Sequence, residues 1–204
     1  METDETDLRD QLCSAAHQLW QRGLVSGGHG TLTAELHRRR YLVTPQSRRK
    51  ATLQPDDLVT VDLQGIDQNG GRNTAPLMWA PHHIALNHGL RQTAEDIGTG
   101  RGRDIRATAL AFPPKLLAFA AHAQAAKANG IKLRGHAPVP IIDGNDEKAL
   151  LAAIKSYAVI VLPEHGVFAT GSSLNQVLST LEDTEAAAEL TLTLQLLHPP
   201  STPS

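Results

Sequence analysis

The most informative stretch of this sequence is Val159-Ile-Val-Leu-Pro-Glu-His-Gly-Val167. The apolar run from Ala158 to Leu162 has the length of one buried strand and is far too short to cross a bilayer. A polar turn follows at 163–165, and residues 166–170 have the composition of a second strand that pairs with the first. We therefore predict a buried hairpin with a histidine in its turn.

Helices and strands are predicted on both sides of this hairpin. Apolar stripes bounded by Gly or Pro predict helices over 8–22, 81–88, 115–128, 147–155 and 174–197. Short runs of strand-forming residues between turn signals predict further strands over 31–36, 41–44, 58–62 and 138–142. The pattern is that of one mixed α/β or α+β domain over residues 1–204, with its core over 8–197 and flexible termini.

The composition excludes several classes of protein. The chain has 204 residues, and its 19 Lys and Arg against 21 Asp and Glu give a formal net charge of -2. Without a basic surplus there is no general attraction to nucleic acid or to a membrane surface, so neither is expected as a partner. A lone cysteine, Cys13, excludes an internal disulfide framework and any multi-cysteine metal site.

The N-terminal segment, residues 1–10, is acidic and has no apolar core. A secretory signal peptide needs such a core, so none is predicted. We therefore expect a soluble protein located in the cytoplasm.

Several segments, taken together, resemble the class II aldolase/adducin family, and they keep that family's order and spacing over residues 8–192. They are Leu24–Ala34, similar to the family's G-L-V-x-x-x-x-G-N-x-S loop; Tyr41–Asp62, with Lys50, similar to I-T-P…K…P-E-D-L-V-x-V-D; Val159–Val167, similar to L-L-x-N-H-G; and Ser179–Glu189, similar to the closing x-x-E-x-x-A helix. On these motifs the chain is identified as a member of that family.

The resemblance implies a three-layer α/β/α sandwich around a mostly antiparallel sheet, and a ring-shaped homo-tetramer with sites between subunits. In the family, three histidines hold a divalent metal, commonly zinc, which polarises a carbonyl and stabilises an enediolate, while a glutamate handles the proton. Loops rich in glycine and serine hold the substrate phosphate through backbone N–H groups. The reactions implied are aldol cleavage of sugar phosphates, 4-epimerisation and dehydration.

The resemblance retains one of the three metal ligands. The histidine of the H-G motif falls on His165. The other two ligands should form a His-x-His pair just before a helix that reads like A-T-A-L-A, and Ala107–Ala111 has that sequence. We therefore predict a helix there, and counting back from it places Arg101 and Arg103 at the two ligand positions. Residues 89–121 contain no histidine at all, so the pair is missing wherever the gap is placed.

Other groups that the chemistry uses are also replaced. The position of the catalytic glutamate falls on Trp79. The serines before it become Leu77 and Met78, and the asparagine of the first loop becomes Thr31. We expect Trp79 to fill the former substrate cavity with apolar bulk, and no other residue is assigned a catalytic role.

The residues that replace the missing ligands point to a different ligand. Arginine cannot bind a metal cation, because its guanidinium is always charged and only donates, but it binds carboxylates and phosphates well. We predict an anion pocket near the former metal position, to which a glycine-rich loop adds backbone N–H groups. Its residues are Gly27, Gly28, His29, Gly30, Arg101 and Arg103. The plainer interpretation is a solvated basic loop beside Asp104 and an ordinary turn at the glycines.

The ten histidines of the chain leave room for a rearranged metal site. His165, His29 and either His82 or His83 would hold a metal if the fold brought their loops together. The plainer interpretation makes His165 a hydrogen-bonded residue of a tight turn, and most of the others surface or helix-end residues.

Two classes of function follow from these residues. A diverged member with a depleted site, non-catalytic or binding a small anion as a homo-oligomer, is favoured because the glutamate and the His-x-His pair are missing. The alternative is a metal-dependent aldehyde-lyase of the aldolase or epimerase type that acts on a sugar phosphate through a rearranged site for zinc or another divalent metal. A partner subunit would be one source of the missing groups.

Overall fold

The computed structural model describes residues 4–37, 39–46, 48–68, 79–100 and 102–197. Its helices are α1 (Glu5–Gln21), α2 (Trp79–Leu90), α3 (Ala94–Gly98), α4 (Pro114–Ala125), α5 (Glu147–Ser156) and α6 (Leu174–Leu197). Its strands are β1 (Thr31–His37), β2 (Arg40–Val43), β3 (Val59–Asp62), β4 (Ala107–Ala111), β5 (Gly130–Ile131), β6 (Val139–Pro140), β7 (Val159–Leu162) and β8 (Gly166–Gly171). Across the described ranges, none of the helices is both long and apolar enough to span a bilayer.

The central sheet has the strand order β3-β2-β1-β4-β8-β7, and each neighbouring pair in it is antiparallel. The predicted hairpin is its β7–β8 pair, in which Leu162 lies opposite Gly166. The first three strands form an antiparallel meander. The expectation of a mostly antiparallel sheet is therefore confirmed.

Helices cover both faces of this sheet, because successive side chains of each strand point to opposite faces. On one face, Ala107 and Ala109 pack in a cluster with apolar residues of α1, α4 and α6. On the other face, Leu110 and Phe168 pack with residues of α2 and α5. Burial on both faces explains the continuous apolar run of β7, in which all four residues are buried. The three-layer α/β/α arrangement is confirmed.

The prediction of a helix at Ala107–Ala111 is wrong. This segment is β4, which is wholly buried and pairs with β1 on one side and β8 on the other. Alanine favours a helix intrinsically, but tertiary pairing between two strands overrides that preference. The next helix, α4, begins instead at Pro114, where the fixed φ of proline suits a first helical turn.

The strand ends form two opposite edges of the sheet, which we name by the two ends of the inner strand β4. We call the edge at Thr31, Leu162 and Gly166 the upper edge, since Ala111, the last residue of β4, lies there. The lower edge lies at the other end of β4, where Ala107 is opposite Gly171. At about 3.4 Å per residue, the two edges are about 14 Å apart along β4.

A buried carboxylate fixes the start of α4. Glu185 of α6 is only 8% exposed, and its two oxygens accept from the backbone N–H groups of Lys115 and Leu116, each at 2.9 Å. Pro114 has no N–H, so these are the first donors of the helix. The negative charge also lies at the positive end of the helix dipole.

Glu185→Ala is expected to lower the free energy of unfolding by about 3 kcal/mol, because two backbone donors would lose a charged acceptor inside the protein. Chemical denaturation monitored by circular dichroism measures the change. Glu189→Ala is the matched control, since Glu189 is mostly exposed and forms only a 3.7 Å ion pair with Lys115. A surface pair of that kind contributes less than about 1 kcal/mol. Equal losses for the two variants would contradict this role of Glu185.

Candidate functional site

The β7–β8 turn places His165 at the upper edge. Its backbone N–H donates to the Leu162 carbonyl at 3.0 Å. Gly166 has a φ of 114°, and a Cβ there would lie 2.6 Å from the Ala111 carbonyl oxygen and 3.0 Å from the Phe112 ring. Only glycine therefore allows the turn to approach the end of β4 so closely. The His165 ring lies beside the backbone at Gly144, where a Cβ would be 3.0 Å from its Cδ2.

Phe112 connects this turn to the glycine-rich loop. Its backbone N–H donates to the Leu24 carbonyl at 2.7 Å, and its ring packs against Gly166. The same ring meets His29 edge-on, with ring centres 6.1 Å apart. The upper edge thus brings together three of the sequence-derived features: the loop before β1, the end of β4 and the hairpin turn with His165.

The residues at the upper edge do not fit the metal that the resemblance implies. The His-x-His pair belongs just before a helix, and the helix that follows this edge is α4. Phe112, whose ring packs against Gly166 in the His165 turn, and Leu110, two residues before it, have the spacing of that pair and precede α4. Neither has a donor atom, whereas a zinc site takes at least three protein ligands. Within the described ranges, no three His, Cys, Asp or Glu side chains are grouped to hold a metal.

The rearranged site of His29, His165 and His82 or His83 is not assembled among the described residues. His82 is a residue of α2 whose side chain is fully buried against the sheet. Its Nδ1 is hydrogen-bonded to Thr108 Oγ1 at 2.6 Å. His83 lines a groove between α2 and α5. The two adjacent side chains therefore face different surroundings.

Arg103 lies at the lower edge, so the prediction that it lies near His165 is wrong. Arg103 and His165 lie near opposite ends of β4. The predicted helix at Ala107–Ala111 did not include this separation. The Arg103 guanidinium donates to the carbonyls of Ile154 and Tyr157, at 2.8 and 2.6 Å, and to Oγ1 and the carbonyl of Thr170, at 2.9 and 3.3 Å. It thereby holds the C-terminal end of α5 against β8. Arg101, Leu77 and Met78 lie outside the described residues.

Lys50 is hydrogen-bonded to the backbone of the glycine-rich loop. Its side chain is fully buried, and Nζ donates to the carbonyls of Gly28, Pro45 and Arg48 at 3.2, 3.0 and 3.3 Å. Its backbone N–H donates to the Gly27 carbonyl at 3.1 Å. Burial lowers the pKa of Lys50 to about 8. Among the described residues, the partners of Nζ are neutral carbonyl oxygens, so backbone dipoles solvate the positive charge beside this loop.

The Trp79 side chain stacks on His82, which in turn contacts the sheet. The indole Nε1 donates to the Leu63 carbonyl at 2.9 Å, and the indole ring stacks on the His82 ring with centres 5.7 Å apart. A Cβ at Gly65 would be 2.7 Å from the indole. Thr31, the other replaced position, is buried at the start of β1. At the position of the glutamate, the chain therefore has an apolar ring with a single donor.

The lower edge contains a cleft of about 650 Å³, lined in part by Glu35, Asp104 and Arg106. Arg106 Nε and Asp104 form an ion pair of 3.0 Å. Because β4 separates this cleft from His165, we do not assign it to the candidate site.

Comparison with known proteins is consistent with this geometry. A sequence model of the family described as Class II Aldolase and Adducin N-terminal domain matches residues 10–192. A relative of known name is the 5-methylthioribulose-1-phosphate/5-deoxyribulose-1-phosphate aldolase of Rhodospirillum rubrum. It is 28% identical over 187 residues, which cover 89% of this chain and 79% of that protein.

Solved structures show the same fold. The l-fuculose-1-phosphate aldolase of Thermus thermophilus superposes with a TM-score of 0.74 at 21% identity, covering 96% of this chain and 98% of its own. The sugar-phosphate aldolase of Thermotoga maritima gives 0.65 at 16% identity, covering 97% of both chains. With a family match over most of its length, the chain belongs to the class II aldolase and adducin N-terminal domain family.

Proposed function

We propose that this chain is a non-catalytic member of its family that binds a small anion at the upper edge and assembles as a homo-oligomer. The observation that carries the proposal is the pair Leu110 and Phe112, which stands directly before α4 next to the His165 turn. A carbonyl cannot be polarised by two hydrocarbon side chains. The Trp79 indole has no basic atom that would take up a proton.

The glycine-rich loop supports the anion-binding part of the proposal. In the loop of Gly27, Gly28, His29 and Gly30, the Gly28 carbonyl accepts from the buried Lys50 amine, whose other partners are also carbonyl oxygens. An anion at the loop would experience this charge in a region of low dielectric constant, where electrostatic attraction is stronger than in water. His29 adds an imidazole, which can donate a hydrogen bond to an oxyanion. A small oxyanion such as phosphate has the charge that this environment attracts.

Inorganic phosphate is expected to raise the thermal stability of the wild type above that in chloride at equal ionic strength. At a concentration of 100 times Kd, the gain corresponds to about 2.7 kcal/mol. His29→Ala should weaken phosphate binding at least about tenfold. His122→Ala, an exposed histidine of α4, is the matched control and should leave the affinity unchanged. Equal affinity in the two variants would contradict a phosphate site at the loop.

The oligomeric part of the proposal is supported by apolar residues at the end of α6. Leu190, Leu196 and Leu197 are 49, 75 and 67% exposed. Such a cluster of leucines favours association with a second copy of the chain over free exposure to water. Light scattering coupled to size-exclusion chromatography should give a mass above the 21.9 kDa of one chain. A monomer at micromolar concentration would contradict this part alone.

A metal-dependent aldehyde-lyase acting on a sugar phosphate is the second candidate. It is favoured by the aldolase name of the Rhodospirillum rubrum relative and by the presence of His29 and His165 at one sheet edge. In this candidate a partner subunit supplies the further ligands. Turnover of a ketose 1-phosphate that is lost in His165→Ala would establish it and would overturn the non-catalytic proposal.

A further inference from the structure

A groove of about 680 Å³ runs between α2 and α5, on the outer side of the helical layer. Its floor is apolar and includes Ala80, Ile84 and Leu151. The groove is independent of the upper edge, since its lining residues belong to these two helices and to the segment just after α2. Its apolar floor would suit the hydrocarbon part of a small ligand.

The rim of this groove is cationic. Lys148 and Lys155 of α5 are seven residues apart, which is two helical turns, so both lie on the helix face that carries Leu151. Arg91 and His88 line the opposite side. Glu147 is the carboxylate among the described lining residues. Three permanent positive charges and one negative charge therefore line the groove.

Arg103 adds a further charge, for which the described residues provide no carboxylate partner. The hydrogen bonds of its guanidinium go to carbonyl oxygens and to one hydroxyl group, all of them neutral. Burial, followed by the positive charges of Lys155 and Arg103, lowers the pKa of His88. Like charges are thus crowded at the His88 end of the groove, and an anion bound there would relieve their repulsion.

We propose that the groove between α2 and α5 binds a small organic anion, an aryl or alkyl phosphate or carboxylate. The apolar body lies on Ile84 and Leu151, and the anionic group is held by Lys148, Lys155 and Arg91. Lysine and arginine at one rim provide charge-assisted hydrogen bonds to oxyanions. The hydrophobic contact separates this class of ligand from inorganic phosphate, which has no body to bury.

Phenyl phosphate is the probe that tests the groove, with inorganic phosphate and phenol as reference ligands. Titrations followed through the NMR signals of His88, which lines the groove and not the upper edge, should give an affinity for phenyl phosphate at least about tenfold above that for either reference. In NMR spectra, the imidazole signals of His88 should shift on binding. The signals of His29, at the upper edge, should not follow the same titration curve.

The variant Lys148→Gln/Lys155→Gln should weaken phenyl phosphate binding at least about tenfold. Lys127→Gln/Lys132→Gln removes the same two charges from exposed positions outside the groove and should have no such effect. Equal losses in both variants, or a His88 signal that does not move, would overturn the site. Inorganic phosphate that shifts the His88 signals with the same affinity as phenyl phosphate would overturn the class of ligand. None of these outcomes depends on the upper-edge proposal.

Discussion

Acid should destabilise this protein through one buried histidine, His82, by up to about 4 kcal/mol between pH 6.5 and pH 3. His82 is fully buried, and burial lowers its pKa to about 3. Its ring contacts the rings of Trp79 and Phe168, and its Nε2 has no hydrogen-bond partner among the described residues. A proton on this ring would therefore place an unpaired charge in the core.

The sign of the effect follows from proton binding in the two states. An unfolded histidine titrates near its ordinary pKa of about 6.5. Below that pH the unfolded state binds a proton that the native state does not, so the free energy of unfolding falls as the pH falls. The loss is complete only near the folded pKa of about 3.

The variant His82→Phe removes the titrating group while it keeps a ring against Trp79 and Phe168. Urea denaturation at several pH values should show that the difference in stability between wild type and variant shrinks or reverses as the pH falls from 7 to 4. His122→Phe, at an exposed position, should show the wild-type slope. Parallel curves for wild type and His82→Phe would contradict the burial of a neutral His82.

Restoring the missing ligand pair should create a metal site. Leu110→His/Phe112→His places two imidazoles directly before α4, beside the turn with His165. Three histidines are a sufficient protein ligand set for zinc. The expected result is about one zinc per chain by elemental analysis, together with a zinc-dependent rise in melting temperature.

Two controls make this result interpretable. Adding His165→Ala to the double variant should abolish stoichiometric zinc, and so should Leu110→His with Phe112→Leu. Leu110 is buried in the core, so the double variant is expected to be less stable without metal by about 3 kcal/mol. If it does not fold, Phe112→His alone leaves that core intact and should bind zinc weakly through His165. A folded variant without zinc affinity would contradict the equivalence of Leu110 and Phe112 to the ligand pair.

The sequence predicted those elements whose pattern is local. The β7–β8 hairpin, α1 and the long α6 have clear apolar periods and turn residues, and the structure confirms them. α3 was not predicted, although its capping box, Thr93 with Asp96, was visible in the sequence. The three-layer arrangement was predicted from the family motifs, because the apolar pattern of individual segments does not show how helices and strands pack together.

The predictions that failed depended on contacts between distant residues. Ala107–Ala111 has a helical composition but lies between two strands, and this error moved the expected ligand pair to Arg101 and Arg103. Pairing of Glu185 with the start of α4 spans about 70 residues and leaves no local pattern. The position of Lys50 under the glycine-rich loop is likewise set by the tertiary fold. Polar contacts of this kind join residues that are far apart in the chain, so no periodic pattern in the sequence predicts them.

The metal content of the wild-type protein, purified without a histidine tag and without chelators, tests the central claim most directly. Because Leu110 and Phe112 stand where the ligand pair is expected, we predict near-zero zinc, iron, cobalt and manganese per chain. About one metal ion per chain that is lost in His165→Ala would contradict the account. The metal-dependent aldehyde-lyase would then be the function of this chain.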